Sequence, residues 1–355
     1  MALKAVNRPE GASVDSRFTF VELFAGIGGF RLGVGSNGGE CVFANEWDPH
    51  SARTYSAWFG GNELNTDDLR TLDFSTQIPD HDLLTAGFPC QPFSLAGVSK
   101  KNSLGRAHGF QDANQGNLFL SIAEIASVKR PKVMLLENVK NLKSHDGGNT
   151  WRVILETLES LGYGVKAKVM DAIEFVPQHR ERVFIVCFNR EVFSEADIEA
   201  YEFPKATGPR PALSDILEAD PDEKYMLSDK LWQFLQDYAA KHRAKGNGFG
   251  FSIAAHDGTS RTLSARYHKD GSEILISQLD WSNPRRLTPN EARLLMGYNS
   301  EFAHLAQGGK GFEQVVSDTQ AYRQFGNSVV PQVVREITKS LLPFLSNRPE
   351  ASRAS

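Results

Sequence analysis

One thiol, Cys90, lies in the run Phe88-Pro89-Cys90-Gln91, directly after the apolar stretch Asp82-Leu83-Leu84-Thr85-Ala86-Gly87. Buried cysteines are mostly inert, and a core cysteine belongs inside a strand. Cys90 instead follows Gly87 and Pro89 and precedes Pro92, Ser94 and Gly97, which is turn chemistry at a strand's carboxyl end. That is where α/β proteins bind ligands, and a thiolate there is a strong nucleophile. None of the other cysteines, of three in all, has such a setting. A nucleophile needs a partner acid and a charge stabiliser. Position alone does not single out a partner: Glu137 ends the apolar run 133–137, and Arg180 and Arg182 flank Glu181. The competing readings are an ordinary strand-end carboxylate and arginines that only pair with Glu181 and its neighbours.

A second constellation is a ligand turn. Phe24-Ala25-Gly26-Ile27-Gly28-Gly29 follows an apolar strand and opens a helix, so its glycines let the backbone approach a ligand. The dinucleotide pattern GxGxxG is broken, because its last glycine would fall at Arg31. An amino-acid carboxylate suits the turn better than a pyrophosphate. Glu46, after the next strand, is placed to hold ribose hydroxyls. Trp47 could stack on an adenine or be a core aromatic, and Asp68 could take an adenine amino group or belong to a solvated turn. Together these groups describe a nucleoside that carries an amino acid, as S-adenosyl-L-methionine does.

The elements that must position these groups form a βαβ rhythm. Strands are expected at 19–24, 41–45, 83–86, 133–137, 165–169 and 182–188, and helices at 30–35, 49–59, 118–129 and 150–161. Short continuous apolar runs of this kind argue for a doubly wound α/β sheet. From about residue 189 to 283 the pattern degrades through Pro204, Pro209, Pro211 and Pro221 into a smaller, loop-rich domain. Helical pattern returns at 289–296 and 330–345. The expected division is therefore 18–190, 191–283 and 284–345, between flexible tails 1–17 and 346–355.

Composition bounds the partners. A chain of 355 residues with 41% hydrophobic and 23% charged residues is expected to be a soluble globular protein, without a membrane span or a secretory segment. Three cysteines support no disulfide framework and show no metal-ligand spacing, which suggests a cytoplasmic setting and no metal. The net charge of −4 does not advertise nucleic acid, so binding DNA would require a local basic face.

In order along the chain, Phe24–Gly29, Gly87–Ser94, Glu137-Asn138-Val139, Gln178-His179-Arg180-Glu181-Arg182, Arg286–Glu291 and Gln324-Phe325-Gly326-Asn327-Ser328 closely resemble the motifs of the DNA (cytosine-5)-methyltransferases, bacterial type. The resemblance spans about residues 18–345. It implies a Rossmann-like S-adenosyl-L-methionine-dependent domain with a smaller target-recognition domain. It further implies that Cys90 attacks C6 of a flipped cytosine in double-stranded DNA, that a protonated Glu137 binds N3 and the exocyclic amine, and that Arg182, and with it Arg180, stabilises charge at O2 or holds a flanking phosphate. Gln178 would help order this strand. Phe24, Ala25, Gly26, Gly28, Gly29, Glu46, Trp47, Asp68, Pro89, Asn327 and Ser328 would line the cofactor site.

For DNA, the basic glycine-bearing loop 94–112 offers Ser94, Lys100, Lys101 and Arg106 as a closing loop. Two further stretches resemble the family's recognition loops. One supplies Arg243, Lys245 and Asn247; the other supplies Thr262, Arg266, Tyr267, His268 and Lys269. Thr262 matches a family position that contacts backbone phosphate. A monomer acting on DNA, with a cognate restriction endonuclease acting separately, completes the expected partners. An RNA cytosine methyltransferase, a non-catalytic DNA-binding relative and a nicotinamide-dependent dehydrogenase are the competing classes. The recognisable target segment, the intact Cys90, Glu137 and Arg182, and the broken GxGxxG weigh against them in turn.

Overall fold

The computed structural model describes residues 18–89, 118–205, 209–248, 250–278, 281–309 and 311–346. Seven strands form one sheet: β1 Phe18–Leu23, β2 Gly39–Asn45, β3 Leu64–Asn65, β4 Leu83–Gly87, β5 Val133–Val139, β6 Tyr163–Asp171 and β7 Glu181–Asn189. Their spatial order is β3-β2-β1-β4-β5-β7-β6. The chain starts in the middle of the sheet and winds outward both ways, which is the α/β architecture expected from the apolar runs.

The first five strands pair in parallel. β7 runs antiparallel to both β5 and β6. A parallel return from β6 would need a crossover of a dozen or more residues. The connection holds only the short turn Ala172–Glu174 and a few flanking residues, so the chain doubles back as a hairpin.

Helices cover both faces. α1 is Gly29–Gly35, and α2 is Pro49–Phe59, which Asp48 caps through the Ser51 N–H and Pro49 starts. α3 Leu118–Lys129 and α4 Asn149–Ser160 follow. Buried Val153, Ile154 and Leu158 give α4 its apolar face. α5 Glu195–Ala200 and α6 Asp229–Ala244 come next, then α7 Pro289–Leu295, α8 Asp318–Asn327 and α9 Pro331–Leu345. No helix among the described residues is long and apolar enough to cross a membrane.

A small second sheet is built from β8 Ile253–Ala254, β9 Leu275–Ile276 and β10 Arg285–Arg286. Its buried residues Ala254, Leu263, Tyr267, Ile274, Ile276 and Leu287 belong to the same apolar cluster as Phe18, Phe20 and Val334 on the large-sheet side. α6 stands apart and buries only Leu235, against Leu227 and Leu275.

Candidate active site

Glu137 lies on β5, opposite Gly87 on β4. A side-chain carbon at position 87 would come within 3.3 Å of Glu137 Oε2, so glycine there keeps the carboxylate's place open. On the other flank, the antiparallel register sets Arg182 opposite Val139, two residues along the same face of β5. This diagonal brings Arg182 Nε to 3.0 Å from Glu137 Oε1, with the two side chains 16% and 13% exposed. Arg182 Nη1 also donates to the Glu181 carbonyl at 2.9 Å. Burial pushes the Glu137 carboxyl above its ordinary value, against the opposing pull of the Arg182 and Arg180 charges.

Asn138, between the two, works on the next strand. Its Nδ2 donates to the Phe88 carbonyl at 2.8 Å and its Oδ1 accepts from the Val139 N–H at 2.8 Å. The peptide that leads into Pro89 and Cys90 is thereby tied to the strand that carries Glu137. Cys90 itself, with Ser94, Lys100, Lys101 and Arg106, lies outside the described residues. The two other cysteines are free, and burial favours their thiol form: it pushes Cys41 up to about 12 and raises Cys187 as well.

Arg180 is placed differently from its neighbour. It is 2% exposed, and its Nη1 donates to the Leu263 carbonyl at 2.9 Å. Its Nη2 donates to the carbonyls of Gly326 and Ser328 at 2.8 and 2.6 Å. With both terminal nitrogens spent on backbone, Arg180 is not available to hold a DNA phosphate, which corrects that part of its expected role. Gln178 is wholly buried; it donates to the Leu295 carbonyl and accepts from the Leu263 N–H.

The glycine turn leaves β1 with Phe24, Gly26 and Gly28 all at positive φ (54°, 56° and 80°). Among the described residues, chain neighbours aside, no atom lies within 4 Å of where a Gly26 side chain would be, so these residues leave the turn open there. Glu46 is 8% exposed; one oxygen accepts from the Gly26 N–H and the other from the Asp48 N–H, both at 2.8 Å. Burial raises its carboxyl, and each oxygen keeps a lone pair for a further donor. Trp47 is 64% exposed, which excludes the core alternative and leaves a flat aromatic face beside Glu46.

Asp68 caps a short turn through the Arg70 N–H and holds the Arg70 guanidinium with both oxygens. That partner draws its carboxyl below the usual range. Ala25 is buried, and Pro89 and Asn327 are exposed. A side chain at Gly29 would strike Val329 and the Tyr298 hydroxyl, so the chain just past α8 does return to the glycine turn. The Ser328 hydroxyl is bonded to the Tyr298 hydroxyl and donates to the Val329 carbonyl. Tyr298 carried no signal in the sequence. These groups fit S-adenosyl-L-methionine: an open turn, a buried carboxylate with spare lone pairs, and an exposed indole.

Of the DNA-facing candidates, Arg243, Lys245 and Asn247 are exposed at the end of α6, and Arg266 and Lys269 are exposed beyond 265. His268 is half-buried, with Nδ1 at 3.0 Å from the Ala265 carbonyl. Two candidates need correction. Tyr267 is wholly buried; its hydroxyl donates to the Ile274 carbonyl and accepts from the Leu287 N–H, so it is a core residue. The Thr262 hydroxyl gives its one proton to the His179 carbonyl at 2.5 Å, leaving none for a phosphate.

The sequence model of the C-5 cytosine-specific DNA methylases matches residues 18–342. The chain belongs to that family. A DNA-cytosine methyltransferase of Escherichia coli K12 is 44% identical over 92% of this chain and 78% of its own length. The type II methyltransferase M.NlaX of Neisseria lactamica is 46% identical over 93% of this chain and 97% of its own length. Among solved structures, the S. pombe Dnmt2 methyltransferase superposes with a TM-score of 0.67 over 92% of this chain and 99% of its own, at 22% identity, a likeness of fold alone. As a C-5 cytosine-specific methylase the chain is an enzyme, and the methyl donor of its family is S-adenosyl-L-methionine.

Proposed function

We propose that this enzyme binds duplex DNA, turns one cytosine out of the helix, and methylates C5 through a covalent bond between Cys90 and C6. The observation that carries this reading is the Glu137–Arg182 pair, held at 3.0 Å beside the strand end that leads into Cys90. Cytosine C5 is a poor nucleophile in an electron-deficient ring. Thiolate addition at C6 makes C5 enamine-like and pushes negative charge towards N3 and O2. Glu137, whose raised carboxyl favours the protonated form, would donate to N3 and accept from the exocyclic amine. Arg182 would stabilise the charge at O2. With Cys41 and Cys187 held as thiols, Cys90 is the remaining candidate nucleophile.

S-adenosyl-L-methionine supplies an electrophilic methyl group on a sulfonium. The open turn at Gly26–Gly29 would receive its amino-acid end, with Asn327 at the border, Glu46 would take the ribose hydroxyls and Trp47 the adenine. C5 would take that methyl group, leaving the thioether S-adenosyl-L-homocysteine; loss of the C5 proton and elimination of Cys90 would then release 5-methylcytosine and the free thiolate.

Residues 191–283 would form the target-recognition domain and 284–345 the return to the catalytic domain. Arg243, Lys245, Asn247, Arg266 and Lys269 would face DNA, with loop 94–112 closing over it. Type II naming among the relatives supports a restriction–modification setting; a separate cognate endonuclease and a monomer acting on DNA complete the proposal.

The test is methyl transfer from labelled S-adenosyl-L-methionine to duplex DNA and, separately, to tRNA, by wild type and Cys90→Ser. Label in DNA that is lost in the mutant is expected; no label in DNA, or equal label in the mutant, would sink the reading. A duplex with 5-fluorocytosine at the target should trap the Cys90 adduct, because fluorine at C5 cannot leave as a proton.

A further inference from the structure

Residues 260–265 are held between two elements of the candidate site. On one side the chain before β7 is bonded to them: Ser260 N–H to the Pro177 carbonyl at 2.8 Å, His179 N–H to the Ser260 carbonyl at 2.9 Å, and Leu263 N–H to Gln178 Oε1 at 2.7 Å. On the other side lies the end of α8. A side-chain carbon at Gly326 would sit 2.3 Å from the Ser264 carbonyl carbon and the Ala265 nitrogen, so backbone rests on backbone there. A third hold comes from Glu273, whose Oε1 accepts from the Ser264 hydroxyl at 2.6 Å.

Arg180 crosses this sandwich. One rigid guanidinium binds the carbonyl of Leu263 and those of Gly326 and Ser328. Three residues past Leu263 the exposed Arg266 begins the DNA-facing stretch; Asn327 and Ser328 are the last residue and the C-cap of α8, beside the glycine turn. Two residues past Arg180, Arg182 holds Glu137. Close-packed interiors transmit displacement rather than absorb it, and a planar fork cannot follow one carbonyl without moving the other.

We infer that Arg180 is a positioning residue that couples occupancy of the methyl-donor site, bordered by the end of α8 at 326–328, to engagement of DNA by the segment 260–269. The inference rests on the proposed reading of those two segments. Burial and the Arg182 charge lower the Arg180 guanidinium to about 9, against the pull of the Glu137 charge. Coupling between two ligands is reciprocal, so it can be read from either one.

The experiment measures the dissociation constant of S-adenosyl-L-homocysteine by calorimetry, with and without a duplex that wild type methylates. In wild type the duplex should change that constant by about fivefold or more. In Arg180→Lys, which keeps the charge but loses the fork, the ratio should fall to within about twofold of one, while binding without DNA moves by less than about threefold. A purely structural role would weaken both constants together. Glu273→Ala removes the acceptor of both Ser264 bonds and loosens the same segment from its half-exposed side; it should lower the ratio in the same direction and covers the case in which Arg180→Lys does not fold. A wild-type ratio of one, or an unchanged ratio in either folded variant, overturns the inference. Wild type that transfers no methyl group to DNA would instead sink the proposed function.

Discussion

Two carboxylate–guanidinium pairs in this molecule have the same chemistry and different surroundings. Arg285 and Glu291 are both at 0% exposure and meet through two bonds, of 2.7 and 2.8 Å. Glu291 also accepts from the N–H groups of Glu218 and Thr288. The pair joins β10, the start of α7 and the chain near residue 218, with every carboxylate oxygen doubly used. Arg182 and Glu137 meet through one contact at 3.0 Å, and both remain partly exposed at the strand ends. A pair whose carboxylate is saturated can only hold; a pair with an unsaturated carboxylate at the strand ends retains lone pairs and protons for a substrate.

The largest expected effect breaks the saturated pair. Arg285→Met leaves Glu291 buried without its counter-charge and should cost about 3–5 kcal/mol of stability, read from urea unfolding midpoints. Glu137→Gln should do the reverse: stability within about 1 kcal/mol of wild type, but single-turnover methyl transfer slower by about 10²–10³-fold. Equal effects of both substitutions on stability would erase the contrast.

Glu22 on β1 extends the comparison to a buried carboxylate without a guanidinium bond. It accepts from the backbone N–H groups of Phe30 and Arg31 and from the Tyr55 hydroxyl, and burial lifts it from 4.5 to about 7. The folded state then binds more protons than the unfolded one between those values, so stability falls as pH rises across that window. Wild type should lose about 3 kcal/mol there relative to Glu22→Gln, as followed by unfolding at several pH values.

Glu137 should leave a smaller mark on rate. Its raised carboxyl favours the protonated form, so methyl transfer should decline as pH rises through that group's value. Because the Arg182 charge opposes the rise, Arg182→Met should move this limb to higher pH as well as slow the reaction. A pH profile unmoved in Arg182→Met would detach the pair from catalysis. The smallest effects belong to the exposed recognition stretch. Arg266→Ala and Lys269→Ala should each lower the slope of log affinity against log salt by about one, where each contacts phosphate.

Much of the fold was legible because the buried strands are short apolar runs separated by capped helices, as at Asp48-Pro49 and at 83–87. The reversal of β7 was not, since direction depends on the length of the connection from β6 and not on the strand's own residues. In the site, the glycine turn and Glu46 could be picked out as chemistry in turns and at strand ends, and Glu137 through the motif it shares with the family. Arg180 could not be told apart from Arg182: the two are separated by one residue, but the strand begins only at Glu181, and the alternation of faces that would align them does not reach back to Arg180. Tyr267 misled for a related reason. Its basic neighbours Arg266 and Lys269 are exposed, while the turn they occupy carries the ring into the core against Tyr322.

By itself the sequence determined the inventory: a thiol after a proline at a strand end, an acid and two arginines downstream, and a glycine turn followed by Glu46. Those facts are local, because strand ends and turns announce themselves through glycine, proline and apolar runs. Only the tertiary structure decided which arginine faces the acid and which is locked away. Arg180 is claimed by carbonyls 83 and 146 residues further along the chain, and the burial that lifts Glu137 comes from the sheet around it. Long-range partners and desolvation are properties of the packed molecule, and no window of sequence contains them.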